Sequence, residues 1–372
     1  MRRSTWKRFS LLCITLVTAM PAHAEVRIGL AAPLTGPNSW DGGNTLLGAE
    51  VAVADLNARG GVLGEQIELI AADDYCEGEQ AIAAANKLVA DGVVAVFGHH
   101  CSGAAIPASK IYADAGLVMV STLATNPKLT EQGLTSVFRM VGRDDLQGRI
   151  AGDLLAERWG KTSIAILHDG RAYGKGLAKE ARKRLNEQGI AEAMFEAIEP
   201  GKADYWDVVE KMRAKGVEVL YFGGYSHEAA LIARQARARG YELHLVAGDG
   251  IGGGDFVLIA GPASDGTLMT APPVPSGPEV AELTPMFPDE SMGGALPFTA
   301  YAALQVWAHA VEMAGTFETD TVAKTLRAQK FDTILGRIGF DQKGDVTGYD
   351  TFVWYVWKDG KRSAVEPGKL TE

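Results

Sequence analysis

The run VVAVFGHHCSGAAIPASKIYADAGLVMV, residues 93–120, decides the fold. Residues 93–97 are an apolar, β-branched run of strand length, broken by Gly98 and Gly103. Residues 104–115 have the composition of a helix, Gly116 stops it, and 117–120 read as a second strand. Neither strand alternates polar with apolar residues, so both faces are covered. Strand, helix and strand in that order make the unit of a parallel sheet.

The same pattern extends in both directions. Upstream lie a strand at 26–30, a helix at 45–59 stopped by Gly60-Gly61, a strand at 66–71 and a helix at 79–91. Downstream come a helix at 146–159, a strand at 163–167, helices at 174–188 and 205–215, a strand at 219–222, a helix at 227–239 and a strand at 243–247. About nine strands suit two sheets of ordinary size better than one. The first set of units ends near 138–145, and the Pro/Gly-rich passage 271–278 marks another crossing. Helices at 299–314 and 321–329 and a Gly-punctuated β segment at 336–358 follow, and these must pack on lobes already built. The expected class is α/β, with two lobes of parallel strands joined by several crossings and a cleft between them.

Composition narrows the function. The chain has 372 residues, 47% hydrophobic and 22% charged, with 36 basic and 46 acidic residues and a net charge of −10. It is too apolar to be disordered, and its acidity argues against nucleic acid as a partner. Arg2, Arg3, Lys7 and Arg8 precede a short apolar stretch and an Ala22-His23-Ala24 cleavage site, the pattern of a secretory signal peptide over residues 1–24. Lipoprotein processing at Cys13 is the competing reading, and Leu12 is too large for it. Cleavage removes four basic residues and no acidic ones, leaving 348 residues at net −14. Two cysteines then remain, Cys76 and Cys101. In an oxidising compartment such a pair forms a disulfide, and the loop it closes is worth about 3 kcal/mol. Two free buried thiols are the alternative.

Ligands of open α/β sheets bind beyond the carboxyl ends of the strands. The loop Gly98-His99-His100-Cys101-Ser102-Gly103 offers amides and a hydroxyl that could hold a carboxylate or simply cap a helix. Ser121-Thr122-Leu123-Ala124-Thr125 adds three hydroxyls or forms a plain turn. Tyr173, Tyr225 and Asp249 fall at strand ends of the second half. They could hold an ammonium group, or be two half-buried aromatics and a turn residue. Adjacent His99 and His100 lack metal-ligand spacing, so no metal is expected. No nucleophile–base pair, P-loop or dinucleotide fingerprint occurs, so neither an enzyme nor a cofactor is expected.

Thr35-Gly36-Pro37, Gly48-Ala49-Glu50 with Ala54-Asp55-Leu56-Asn57-Ala58-Arg59-Gly60-Gly61, Asp73-Asp74 with Cys76, and Gly98-His99 with Cys101-Ser102 follow one another in a familiar order. So do His168-Asp169 with Tyr173-Gly174, Tyr221-Phe222-Gly223-Gly224-Tyr225 and Tyr301-Ala302-Ala303-Leu304-Gln305. Over essentially the whole mature chain the sequence resembles the periplasmic leucine/isoleucine/valine-binding proteins of ABC transporters, which are type I periplasmic binding proteins. That resemblance implies two Rossmann-like lobes with parallel sheets joined by three hinge crossings, an N-terminal lobe of 25–143 plus 273–352 and a C-terminal lobe of 144–272 plus 353–372. It also implies a Cys76–Cys101 disulfide, a periplasmic monomer, and a membrane permease as partner. The implied ligand is an amino acid, branched-chain or otherwise apolar. Ser102 and Thr125 match the positions that hold its carboxylate, with Leu123 contributing backbone. Tyr225 and Asp249 match those that hold its ammonium, and Tyr173 is retained.

The pocket departs from the family pattern. Asp249 is one methylene shorter than the usual glutamate. His100 and Leu296 stand where apolar or aromatic contacts are expected, with Phe298 two residues on. Trp40 is displaced by one position from the pocket aromatic, which leaves Asp41 in its place. A periplasmic sensor for amides, urea or a related small molecule, signalling through a protein partner, is the alternative function.

Overall fold

The computed structural model describes residues 25–287, 294–366 and 369. The expected signal peptide, residues 1–24, lies outside them. The first part of the chain runs β1 (Glu25–Ala32), α1 (Ser39–Ala58), β2 (Gln66–Asp73), α2 (Gly78–Ala90), β3 (Ala95–Gly98), α3 (Ser102–Asp114), β4 (Val118–Ser121), α4 (Lys128–Glu131) and β5 (Val137–Arg139). These strands form one parallel sheet in the order β2-β1-β3-β4-β5. The strand order reverses beside β1, which opens a crevice at the carboxyl ends of β1, β3 and β4.

The second part runs α5 (Asp144–Trp159), β6 (Ile164–His168), α6 (Ala172–Glu187), β7 (Met194–Ala197), α7 (Trp206–Ala214), β8 (Val219–Gly223), α8 (Ser226–Ala238), β9 (His244–Ala247), α9 (Gly254–Ala260) and β10 (Leu268–Ala271). After α10 (Pro278–Leu283), the chain continues as α11 (Leu296–Ala314), α12 (Thr319–Ala328), β11 (Lys330–Thr333), β12 (Gly336–Phe340), β13 (Val346–Thr347), β14 (Val353–Lys358) and β15 (Lys361–Val365). The second sheet has the order β15-β14-β10-β9-β8-β6-β7.

Both sheets are apolar on two faces because helices cover both. In the first, Ile28, Leu30, Phe97 and Phe138 pack with Trp307 and Leu304 of α11, and Phe97 meets Trp307 edge to face at 5.7 Å. α1 crosses α11 closely: a Cβ on Gly48 would lie 2.1 Å from the carbonyl oxygen of Pro297, so only glycine fits there. The opposite face, with Leu88, Val96 and Tyr112, joins one continuous core with Ile166, Leu177 and Leu185 of the second sheet.

Three details differ from the sequence reading. α1 begins at Ser39, six residues before the expected start, and carries Gly42-Gly43 inside it. Gly42 packs where a Cβ would meet the Pro33 carbonyl at 2.0 Å, so the pair marks a close approach and not a break. The β segment expected at 336–358 is divided. β11, β12 and β13 make a small antiparallel sheet, while β14 and β15 join the second sheet antiparallel. The second sheet is therefore mixed. The sequence reading places no strand at β5, β7, β10, β11 or β15. β5 has three residues and β10 four, too few to show a period, and β7 and β15 are half-exposed edge strands without an apolar run.

The chain passes between the sheets after β5, after β10 and after β13. A buried ion pair ties the first and third passages. Arg139 is fully buried, its Nε donates to Asp345 Oδ1 at 2.6 Å, and its Nη1 donates to the carbonyls of Ala124 and Asn126. Arg143 Nη1 donates to the other oxygen of Asp345 at 3.0 Å. Such pairing is what makes a buried guanidinium tolerable.

Candidate functional site

The loops that leave β1, β3 and β4 face those that leave β6, β8 and β9, all at strand carboxyl ends. On the first wall, Cys76 and Cys101 are disulfide-bonded with Cα atoms 5.3 Å apart. Beside the bridge, the buried His99 ring lies between Asp74 Oδ2 (2.6 Å from Nδ1) and the Tyr112 hydroxyl (3.0 Å from Nε2). The first of the two histidines thus belongs to the core and anchors the loop that presents His100 and Ser102. Ser102 opens α3, and its Oγ accepts from the Asn126 amide at 3.2 Å. Thr125 is buried with an Oγ1 that has no hydrogen-bond partner. Leu123 lies between them on the cavity wall.

On the second wall, Asp249 follows β9 and is 9% exposed. Its Oδ1 accepts from Gln147 Nε2 at 2.8 Å and from the Tyr173 hydroxyl at 3.0 Å. The Tyr173 hydroxyl in turn accepts from the Gly250 amide at 3.0 Å. Tyr225 stacks at a tilt on Tyr173, with ring centroids 5.2 Å apart. Burial raises the Asp249 pKa above the ordinary carboxylate value, against the lowering effect of the Gln147 and Tyr173 donors. Asp144 at the start of α5 is wholly buried with neither oxygen hydrogen-bonded; burial, then the Asp249 charge, raises its pKa well above the ordinary value. Two carboxyls packed this way favour a cation and disfavour an anion.

The walls meet across the cleft. Asn126 Nδ2 donates to the Ala172 carbonyl at 2.8 Å, and Arg171 Nη2 lies 2.8 Å from Glu77 Oε1. A narrow cavity remains, lined among others by Leu123, Asp249, Leu296, Asp41, Gly253 and Arg362. Of the residues singled out in sequence, the structure brings Ser102, Leu123 and Thr125 together on one wall and Tyr173, Tyr225 and Asp249 on the other. Leu296 lines the cavity, while Phe298 turns into the core against Phe287. Trp40 packs beside Gly253, where a Cβ would lie 3.3 Å from its Cδ1. His100 is 4% exposed, and its Nε2 lies 3.6 Å from Asp41 Oδ2.

Sequence reasoning missed Gln147, Asp144, Asp255 and Arg362. Gln147 and Asp144 sit in the first turns of α5, where polar residues are ordinary. Arg362 lies on an edge strand more than a hundred residues from Gly252, whose carbonyl accepts from its Nη1 at 3.1 Å. No local signal could have found them. Among the described residues, no cluster of three His, Cys, Asp or Glu is placed to hold a metal ion.

A profile of the periplasmic binding protein family matches residues 25–361. Leu/Ile/Val-binding protein homolog 1 of Brucella suis biovar 1 (strain 1330) is 40% identical over 365 residues, which is 96% of this chain and 98% of the relative. The leucine-, isoleucine-, valine-, threonine- and alanine-binding protein of Pseudomonas aeruginosa is 39% identical over 374 residues, 98% of this chain and all of the relative. Among solved structures, the branched-chain amino acid substrate-binding protein of Streptococcus pneumoniae in complex with isoleucine superposes with a TM-score of 0.82 at 25% identity, covering 92% of this chain and all of that one.

Proposed function

Because this chain belongs to the periplasmic binding protein family, we propose that it is the amino-acid receptor of an ABC transporter. It traps one amino acid of branched-chain size between its two lobes. The observation that carries this reading is the buried carboxyl of Asp249, braced by Tyr173 and Gln147 on one wall of a closed cleft whose other wall carries Ser102 and Thr125. A zwitterion needs both walls, because a buried charge is tolerable only when paired. The carboxylate binds Ser102, Thr125 and backbone around Leu123. The ammonium binds Asp249, with Tyr173 and Tyr225 around it. The Pseudomonas aeruginosa relative is a leucine-, isoleucine-, valine-, threonine- and alanine-binding protein, and the Streptococcus pneumoniae structure holds isoleucine, which supports a small amino acid as the ligand.

The lobes in this reading are 25–143 with 273–352, and 144–272 with 353–372. The leader over residues 1–24 directs export to the periplasm, and the mature receptor works as a monomer that delivers its ligand to a membrane permease. The open form binds on the first lobe. Contacts from Asp249 and Tyr173 exist only after closure, and that difference in free energy drives it. Isothermal titration with the twenty L-amino acids tests the proposal. Saturable heat with at least one small member supports it, and no heat with any of them overturns it.

A further inference from the structure

The cavity that Asp249 lines together with Asp41, Gly253 and Arg362 is not apolar. Asp41, on α1, is 6% exposed, and its Oδ1 has no hydrogen-bond partner. Asp255, on α9 of the opposite wall, also has an unpartnered Oδ1, and so does Arg362 at Nη2 and His100 at Nδ1. The two carboxylate oxygens converge on one spot. A Cβ placed on Gly253 would lie 2.4 Å from Asp255 Oδ1 and 2.8 Å from Asp41 Oδ1, so the missing side chain of Gly253 is what keeps the space between them open. Native interiors leave few such atoms unmatched, and here those of Asp41, Asp255 and Arg362 gather at one cavity from both sides of the cleft.

Resting on the reading of this cleft as an amino-acid site, we propose that the occupant's side chain ends in a neutral hydrogen-bonding group, a hydroxyl or a carboxamide. It is thus a polar isostere of a branched-chain amino acid. A carboxamide donates one N–H to each of Asp41 and Asp255 and accepts from Arg362, whereas a hydroxyl donates its one proton to one of the two carboxyls and accepts from Arg362. A charged side chain fits less well. A second ammonium faces the Arg362 guanidinium, and a second carboxylate faces Asp41. Burial and the nearby Asp41 charge push the Asp255 carboxyl up to about 7, so it is partly protonated near neutrality, and Asp41 and Arg362 then balance each other. An aliphatic side chain would seal the Asp41, Asp255 and Arg362 atoms away from water without partners, and sites built to hydrogen-bond a substrate group reject the analogue lacking it.

Isothermal titration of the mature protein with isosteric pairs decides the matter: threonine against valine, and asparagine against leucine. The polar member of each pair is expected to bind at least tenfold tighter, with lysine and aspartate weaker than asparagine. Valine or leucine binding as tightly as its partner, or tighter, overturns the proposal while leaving the amino-acid reading intact. Heat with none of these or any other amino acid overturns both. In Asp41→Leu the threonine-to-valine ratio is expected to fall below threefold, and a ratio unchanged in a folded variant refutes the role given to Asp41. If that variant fails to fold, the wild-type pairs still decide.

Discussion

The loops after β3 and β4 present hydroxyls and backbone amides, whereas those after β6, β8 and β9 present two tyrosines and a carboxyl. The β3 and β4 loops of the first wall carry no carboxylate of their own, and much of their hydrogen bonding is internal. Ser102 is satisfied by Asn126, and the Cys76–Cys101 bridge and the Asp74–His99–Tyr112 network brace the loop from behind. The second wall is charged and strained electrostatically, with Asp249 and Asp144 both buried and both raised in pKa. Loops without a carboxylate can stay open to water at little cost. A buried carboxyl is stabilised chiefly by the cation it encloses, so the driving force for closure resides in the second wall.

The largest effect expected from this contrast is at Asp249. Asp249→Ala should weaken amino-acid binding by about 3–5 kcal/mol, because it strands a buried ammonium, while Ser102→Ala costs only about 1 kcal/mol for one neutral hydrogen bond. Equal losses measured by titration would break the contrast. Next comes the brace. Replacing Cys76 and Cys101 with serine should lower unfolding stability by about 3 kcal/mol in urea, from the freed loop, with ligand affinity changed far less. A large affinity loss would show that the first wall, too, depends on tension for its geometry.

The pH dependence follows from the sign of the Asp249 shift. Burial raises its pKa, and a bound ammonium favours the ionised form, so binding releases a proton wherever the carboxyl is protonated. Affinity should therefore fall as pH drops below the raised pKa, by at most about tenfold per unit. A flat profile between pH 7 and 4 would contradict the pairing. Tyr173→Phe removes one donor from Asp249 and should cost about 1 kcal/mol of affinity. The smallest effect belongs to the cleft rim. Arg171 and Glu77 remain partly exposed, so Arg171→Ala should cost less than about 1 kcal/mol, and the loss should shrink further in high salt.

Much of this was readable before any coordinates. Continuous apolar strands alternating with helices imply parallel sheets, because residues buried on both faces cannot alternate. Ser102, Thr125, Tyr173, Tyr225 and Asp249 could be singled out because each follows a strand, and strand ends are where an open sheet leaves polar groups unsheltered. The strands missed were those too short for a period or too polar at an edge, such as β5 and β15.

What the linear order alone determined was the alternation of elements, the family pattern and the strand-end residues, since these depend on local composition and spacing. Only the tertiary structure decided which of those residues share a wall, and that Gln147, Asp41, Asp255 and Arg362 join them. Their chain positions span more than three hundred residues, and what they do follows from burial and from one another's charge. Neither quantity exists until both sheets have formed and the cleft between them has closed.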